Sequence, residues 1–254
     1  MAWFRAEKGD AVGYPDFLLM RTTAATFNLS DTKTQANKIP AYAFYDSYYL
    51  QDIDAPPITN IDDYAFAECN NVRNIALPDL TRIGEHALSC KRAPALRSTV
   101  NINLPKLTTI ADFGFFDFGA QNSNTALEFP KVTSIGESGF GCSNSNYAWT
   151  LKALILSFSA GVIFDYAVFA GATIGTIDCA GECSFADNAL LGGSITNLVL
   201  RDSHMSTLAV GGSLGTAPAH IYVNDDLVTS YQNDDDWSQY ASIIESIENF
   251  TPDY

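Results

Sequence analysis

Ile61-Asp-Asp-Tyr-Ala-Phe66-Ala-Glu-Cys69-Asn-Asn-Val72-Arg-Asn-Ile75-Ala-Leu77-Pro78 is the stretch on which the fold turns. Its first six residues are apolar at the first position, small at the fifth and large at the sixth. That phrase returns at Ile39–Phe44, Ile83–Leu88, Ile110–Phe115, Ile135–Phe140, Ile163–Val168 and Phe185–Leu190. The first residues of successive copies lie 22, 22, 27, 25, 28 and 22 positions apart. Self-similarity at this period marks a solenoid whose coil takes at least 22 residues.

The same stretch ends on a second phrase, apolar-x-apolar, often followed by proline. Its copies are Ile53-Asp-Ala55, Ile75-Ala-Leu77, Ile102-Asn-Leu104, Leu127-Glu-Phe129, Leu154-Ile-Leu156, Ile177-Asp-Cys179, Leu198-Val-Leu200 and Ile221-Tyr-Val223. Alternation of this kind predicts a short strand with one buried face, and the proline after it removes a ladder donor and ends it. No coil buries its apolar stripe alone. Stacked coils do, at ~1.5 to 3 kcal/mol for each large side chain fully buried.

The two phrases together resemble the BspA-type leucine-rich repeat, over roughly residues 26 to 223. The resemblance implies a leucine-rich-repeat solenoid, a right-handed coil of short parallel strands with irregular, turn or short helical segments on the other side. That family occurs in bacterial surface adhesins, in phage and prophage structural proteins and in protist surface proteins, so it implies recognition or adhesion while leaving the partner open. The tail from Ile221 to Ile244 resembles the closing segment of such repeats in gut-type bacteria or their phages. It reads as a helical cap over residues 224 to 254, with one helix started by Asp225 or Asp226 and a second carrying Trp237, Tyr240, Ala241 and Ile244 at i, i+3, i+4, i+7. A solenoid needs such a lid over its last apolar edge. Residues 1 to 25 precede the first partial coil at Phe27-x-Leu29 and read as an attachment segment, through which oligomers are possible.

With 14 Lys+Arg against 29 Asp+Glu the formal charge is −15, and no basic cluster offsets it. Such a chain repels phosphate backbones, which argues against a nucleic-acid partner. Phe17-Leu-Leu-Met20 is the apolar run nearest the start, too short for a secretory signal or a membrane span. Met1-Ala-Trp-Phe-Arg5 resembles the start of some phage tail-associated proteins. The expected location is therefore a phage virion, with the bacterial cell surface as the alternative.

The chemistry-bearing residues follow the repeat. Cys69, Cys90 and Cys142 occupy equivalent places and read as packed thiols, Cys179 falls on a core strand position, and Cys183 has no assigned place. His86 stands at the fourth position of the phrase with Tyr42, Tyr64, Phe113, Ser138, Tyr166 and Asn188, a surface row rather than a catalytic set. The third position carries Asp63, Glu85, Asp112, Glu137, Asp165 and Asp187, a column of carboxylates explained by turn capping or, alternatively, able to recruit cations. Asp234-Asp235-Asp236 suits a helix N-cap better than a calcium loop. No catalytic motif is present, so the expectation is a non-enzyme without metal or cofactor.

The period stretches in coils three, four and five, between the first phrase and the strand. The added residues are 91 to 99, 118 to 125 and 143 to 149. Equivalent positions in consecutive coils stack, so these loops are expected to form one patch, either tolerated surface slack or a binding face. The candidate partner-binding residues are Arg92, Arg97, Gln121, Asn122, Asn124, Asn144, Asn146, Tyr147 and Trp149, a set combining adaptable hydrogen bonding with aromatic anchors. The leading expectation is a recognition module of a phage or prophage virion or tail, taking a host-surface glycan or protein or another virion protein. A secreted adhesin and a structural spacer are the alternatives.

Overall fold

Each first phrase opens with an apolar residue, and the chain spends it on a two- or three-residue strand. The computed structural model describes residues 26–28, 37–54, 58–91, 101–119, 121–157 and 160–254. Strands Lys38–Ile39, Asn60–Ile61, Arg82–Ile83, Thr109–Ile110, Ser134–Ile135, Val162–Phe164, Cys183–Phe185 and Thr207–Leu208 form one parallel sheet of eight in sequence order. Leu208 thus begins an eighth, degenerate copy. Before four of these strands a threonine hydroxyl, on Thr59, Thr81, Thr108 and Thr133, donates to a carbonyl of the preceding coil.

The register corrects the sixth copy by one residue. Ile135 pairs with Phe164, not Ile163. Phe164 is fully buried while Ile163 is 57% exposed. The coil therefore reads Phe164-Asp-Tyr-Ala-Val-Phe169, with Ala167 at the fourth position, Tyr166 at the third and Asp165 at the second. The sixth-position rings confirm the shift. Phe115, Phe140 and Phe169 stack in succession at 5.4 and 5.9 Å between centroids, continuing the Phe44–Phe66 pair at 4.9 Å.

The second phrase builds the opposite sheets. Thr26–Asn28, Asp52–Asp54, Asn74–Ala76 and Asn101–Asn103 form a four-stranded parallel sheet, with Phe27, Ile53, Ile75 and Ile102 in register. Gln121–Glu128, Thr150–Leu156, Thr173–Cys179, Ser194–Leu200, His220–Val223 and Ile244–Ser246 form a six-stranded one. Its buried row is Leu127, Leu154, Ile177, Leu198, Ile221 and Ile244. Between the two layers lies one continuous apolar core.

The remainder of each first phrase is a run of overlapping turns. In the first coil the Ala43, Tyr45 and Ser47 N–H groups close turns onto Pro40, Tyr42 and Phe44, while Tyr42, Phe44 and Asp46 donate across to Asp63, Ala65 and Ala67 of the next coil. Alternate residues thus serve the local turn and the neighbouring coil, leaving few backbone groups unpaired. The fourth position adopts a positive φ in seven coils, at Tyr42, Tyr64, His86, Phe113, Ser138, Ala167 and Asn188. An L-residue there costs roughly 1 to 2 kcal/mol, offset by the bonds between coils.

The cap differs from the expected pair of helices. Asn224, rather than Asp225 or Asp226, caps the first turn by accepting the Asp226 N–H. A short α-helix, Val228–Asn233, follows, and the second segment is a 3-10 helix, Ser238–Ile243. Asp234 accepts from the N–H groups of Asp236 and Trp237 just before it. Ile244 then leaves helical geometry to add a final strand to the sheet, so the ladder continues past residue 223 into the cap. Trp237 and Tyr231 are buried against Phe185 and Ser206, sealing the end of the core.

Candidate partner-recognition surface

The turn face carries the periodic rings. At the fourth position Tyr42, Tyr64, His86 and Phe113 stack face to face, with centroid separations of 5.1, 4.8 and 4.6 Å. One coil step sets this spacing, since neighbouring parallel strands lie about 4.7 to 4.9 Å apart. Tyr166, expected in this row, is displaced from it by the corrected register. Burial within the stack lowers the His86 pKa below 6.5, against the weaker pull of Glu85 and Asp112. Burial, then Glu85, raises that of Tyr64.

A second column runs beside it at the seventh position: Tyr45, Ala67, Ser89, Phe116 and Gly141. The Phe116 ring meets His86 and Phe113 edge-on at 6.3 and 5.3 Å, and Tyr45 tilts against Tyr42 at 6.0 Å. Between them Ala67 and Ser89 carry no ring. Tyr45 and Phe116 are three coil steps apart, roughly 14 Å, and two ring rungs are missing. The result is a slot of about 260 Å³ walled by Tyr45 and Phe116, backed by Tyr64 and His86, and rimmed by Glu68 and Lys91, with the buried Asp117 also lining it. Asp117 is held by Ser143, whose backbone N–H and hydroxyl donate to it at 2.6 and 2.8 Å. The slot was readable as two small residues in a column of rings, but the expectation rested on insertions instead.

The insertion residues divide. Arg92 and Arg97 lie outside the described residues. Gln121, Asn122 and Asn124 belong to strand Gln121–Glu128 rather than to a loop, with Gln121 opposite Thr150 and Asn122 opposite Leu151. The insertions of coils four and five do come together: the Tyr147 carbonyl lies where a Cβ on Gly119 would be, 2.2 Å away, and only glycine with its φ of +34° admits that approach. Asn144 and Asn146 are exposed, and Asn144 caps the 3-10 turn Ser145–Tyr147. Trp149 corrects the expectation of a surface anchor. It is fully buried, its ring 5.3 to 5.9 Å from those of Phe115, Phe118 and Phe140, and its indole N–H donates to the Phe115 carbonyl at 3.4 Å. It stands just before strand Thr150–Leu156 with its ring among those of the core, and a buried indole needs one acceptor, which the chain supplies.

The acidic column serves the backbone. Asp63 accepts from the Glu85 N–H, Asp112 from Glu137 and Asp187 from Ser213, each at 2.9 Å. Asp236 likewise accepts from the Gly211 N–H at 2.8 Å. The thiols are packed. Cys69 donates to the Phe44 carbonyl at 3.1 Å, and burial pushes its pKa up to about 12. Cys183 sits buried on its strand, pointing at the Gly181 carbonyl and beside Cys179.

A family model described as the BspA type leucine rich repeat region matches residues 37–148 in six copies. Among solved structures, the crystal structure of a leucine-rich repeat protein from Bacteroides ovatus is similar to this chain, with 16% identity over 78% of the chain and a TM-score of 0.45. The chain spans 63% of the length of that protein. No curated protein matches it. The match covers residues 37–148, less than half of the chain, and the parallel register continues the stacking of coils to Ser246.

Proposed function

We propose that these repeats form a non-enzymatic module that binds a protein partner by admitting an aromatic side chain into the slot between Tyr45 and Phe116. The observation that carries this reading is the gap of two rungs at Ala67 and Ser89 in an otherwise ring-lined corner. A ring entering it takes one of the two missing rungs and meets Tyr45 or Phe116 at the 4.5 to 7 Å spacing that aromatic pairs favour. Glu68 and Lys91 on the rim suit the polar edge of a partner loop. Asp63, Asp112 and Asp187 support a structural rather than a catalytic role, each being engaged with a backbone N–H group.

The finer reading places the module on a phage virion or tail, where it meets a host-surface protein or glycan, or on a bacterial cell surface as an adhesin. It rests on the kinds of protein in which this repeat occurs, and the neighbouring genes test it: virion genes on either side support the first location, a surface-export context the second. Binding itself is tested by selecting a displayed peptide library on the intact protein. The expected ligands carry Trp or Tyr, lose binding to Ser89→Trp, whose indole fills the slot, and keep it with Asn144→Ala/Asn146→Ala. Ligands indifferent to Ser89→Trp, or binding of glycans alone, would sink the proposal.

A further inference from the structure

The sheet formed by the second phrases has two unlike halves. On strands Asp52–Asp54, Asn74–Ala76 and Asn101–Asn103 the residues pointing away from the core are partly or fully open to solvent. On the six-stranded half, Ala153, Thr176, Asp178 and Val199 are all buried. Val199 stands in register between Asp178 and Tyr222, on the row that faces outward from Ile177, Leu198 and Ile221.

Residues 250 to 254 run across this half. Phe250 packs on Tyr222 at 5.1 Å, with the Arg201 guanidinium over its ring, 5.9 Å from the centroid. Arg201 grips Asp178 with two hydrogen bonds of 2.6 and 2.7 Å, and the Tyr254 hydroxyl donates to the same carboxylate. Lys152 donates to the Asp253 carbonyl and pairs with its carboxylate at 3.7 Å. The segment thus crosses from the fifth strand of the sheet to the second, holding on through one ring, one phenol and one acid. Burial and the Asp178 carboxylate push the Tyr254 pKa up to about 12, so the phenol stays a donor.

We propose that Phe250–Tyr254 is a strap lying in cis on a protein-docking surface, and that an extended segment of a partner protein with the same chemistry displaces it: an aromatic residue, then an acid and a tyrosine three and four positions later. Charge argues for this occupant. In a chain of net charge −15, Lys152 gives this sheet face a cation whose acidic partner is the strap itself, matched to an acidic segment, while Arg201, already paired with Asp178, meets the aromatic residue. The strap makes the contacts of an extended peptide, a few side-chain anchors with little regular structure, and its exposed acid is only surface-paired, a weak hold. The surface is separate from the Tyr45–Phe116 slot and does not rest on it.

The probe is a fluorescently labelled peptide of residues 247 to 254, amide-capped, titrated into the full chain and followed by anisotropy. Phe250→Ala/Tyr254→Ala is expected to bind it at least about tenfold more tightly than the unaltered chain, because the cis competitor is weakened. Asp253→Lys, a change at an exposed position that removes no packing, is expected to shift affinity in the same direction. Lys152→Ala added to Phe250→Ala/Tyr254→Ala is expected to cost several-fold, while Ser89→Trp changes nothing. Equal affinities with and without the strap changes, or indifference to Lys152→Ala in the strap-weakened background, overturn the proposal. A dimer in which two copies exchange straps overturns the partner assignment and gives the surface to self-association.

Discussion

Asp112 closes over Gly136 of the next coil, its Oδ1 2.3 Å from where a Cβ on that glycine would stand, and it accepts the Glu137 N–H at 2.9 Å. Asp63 does the same to Gly84 and Glu85, at 2.6 and 2.9 Å. Where the third residue of a coil is instead Ala41, Glu85, Glu137 or Tyr166, the second residue of the next is Asp62, Ala111, Asp165 or Ala186. Aspartate and glycine are thus coupled across coils by one hydrogen bond that leaves no room for a methyl group.

Gly136→Ala is therefore expected to destabilise the chain by roughly 1 to 3 kcal/mol, the range for overpacking. Asp112→Ala is expected to cost about 1 kcal/mol for the lost backbone partner. Because the two positions share one contact, the double variant is expected to fall short of the sum. Urea denaturation of the four proteins measures this, and strict additivity would contradict the coupling.

Trp149→Ala is expected to cost about 3 to 5 kcal/mol, the loss typical of a large aromatic removed from a core. Asn146→Ala, at an exposed position, is expected to stay within roughly 0.5 kcal/mol. Thermal or urea melts of both check it. A Trp149→Ala protein as stable as the parent would return the indole to the surface.

The pH response of His86 has a defined sign. Burial between Tyr64 and Phe113 holds its folded pKa below 6.5, so the unfolded chain takes up the proton first as pH falls. Its contribution is complete above 6.5 and is lost as pH falls through the lowered folded value. His86→Phe, which keeps a ring in the stack, is expected to flatten the melting temperature in that window relative to the parent. Parallel curves for the two proteins would refute it.

Thiol reactivity is expected to follow burial. Cys69, its pKa raised to about 12, and the buried Cys179 are expected to resist alkylation until the chain unfolds. Cys142, part-exposed, is expected to react first, although burial raises its pKa too. Mass spectrometry after timed alkylation gives the order, and early labelling of Cys69 would contradict it.

Local pattern announced most of the architecture because each coil repeats the same demands: an apolar strand residue, a small fifth residue and a large sixth. The matched registers at Ile53, Ile75 and Ile102, and again from Leu127 to Ile221, follow from it. It misled at Ile163-Phe164, where two apolar neighbours after an insertion offered two phases and only the Phe140–Phe169 stack decides between them. It misled again at Trp149, because a polar, aromatic insertion resembles a surface loop until the rings of Phe115, Phe118 and Phe140 take one side chain into the core.

By itself, then, the sequence determined that coils stack and which residues face the core, since periodicity is a local property that burial rewards in every copy. Only the tertiary structure decided what the coils make together. The slot exists because Ala67 and Ser89 fall in one column between Tyr45 and Phe116, and the strap because Tyr254 meets Asp178 across 76 residues of chain. Contacts of that kind have no period. They arise where separate columns are brought side by side, and no stretch of sequence carries them alone.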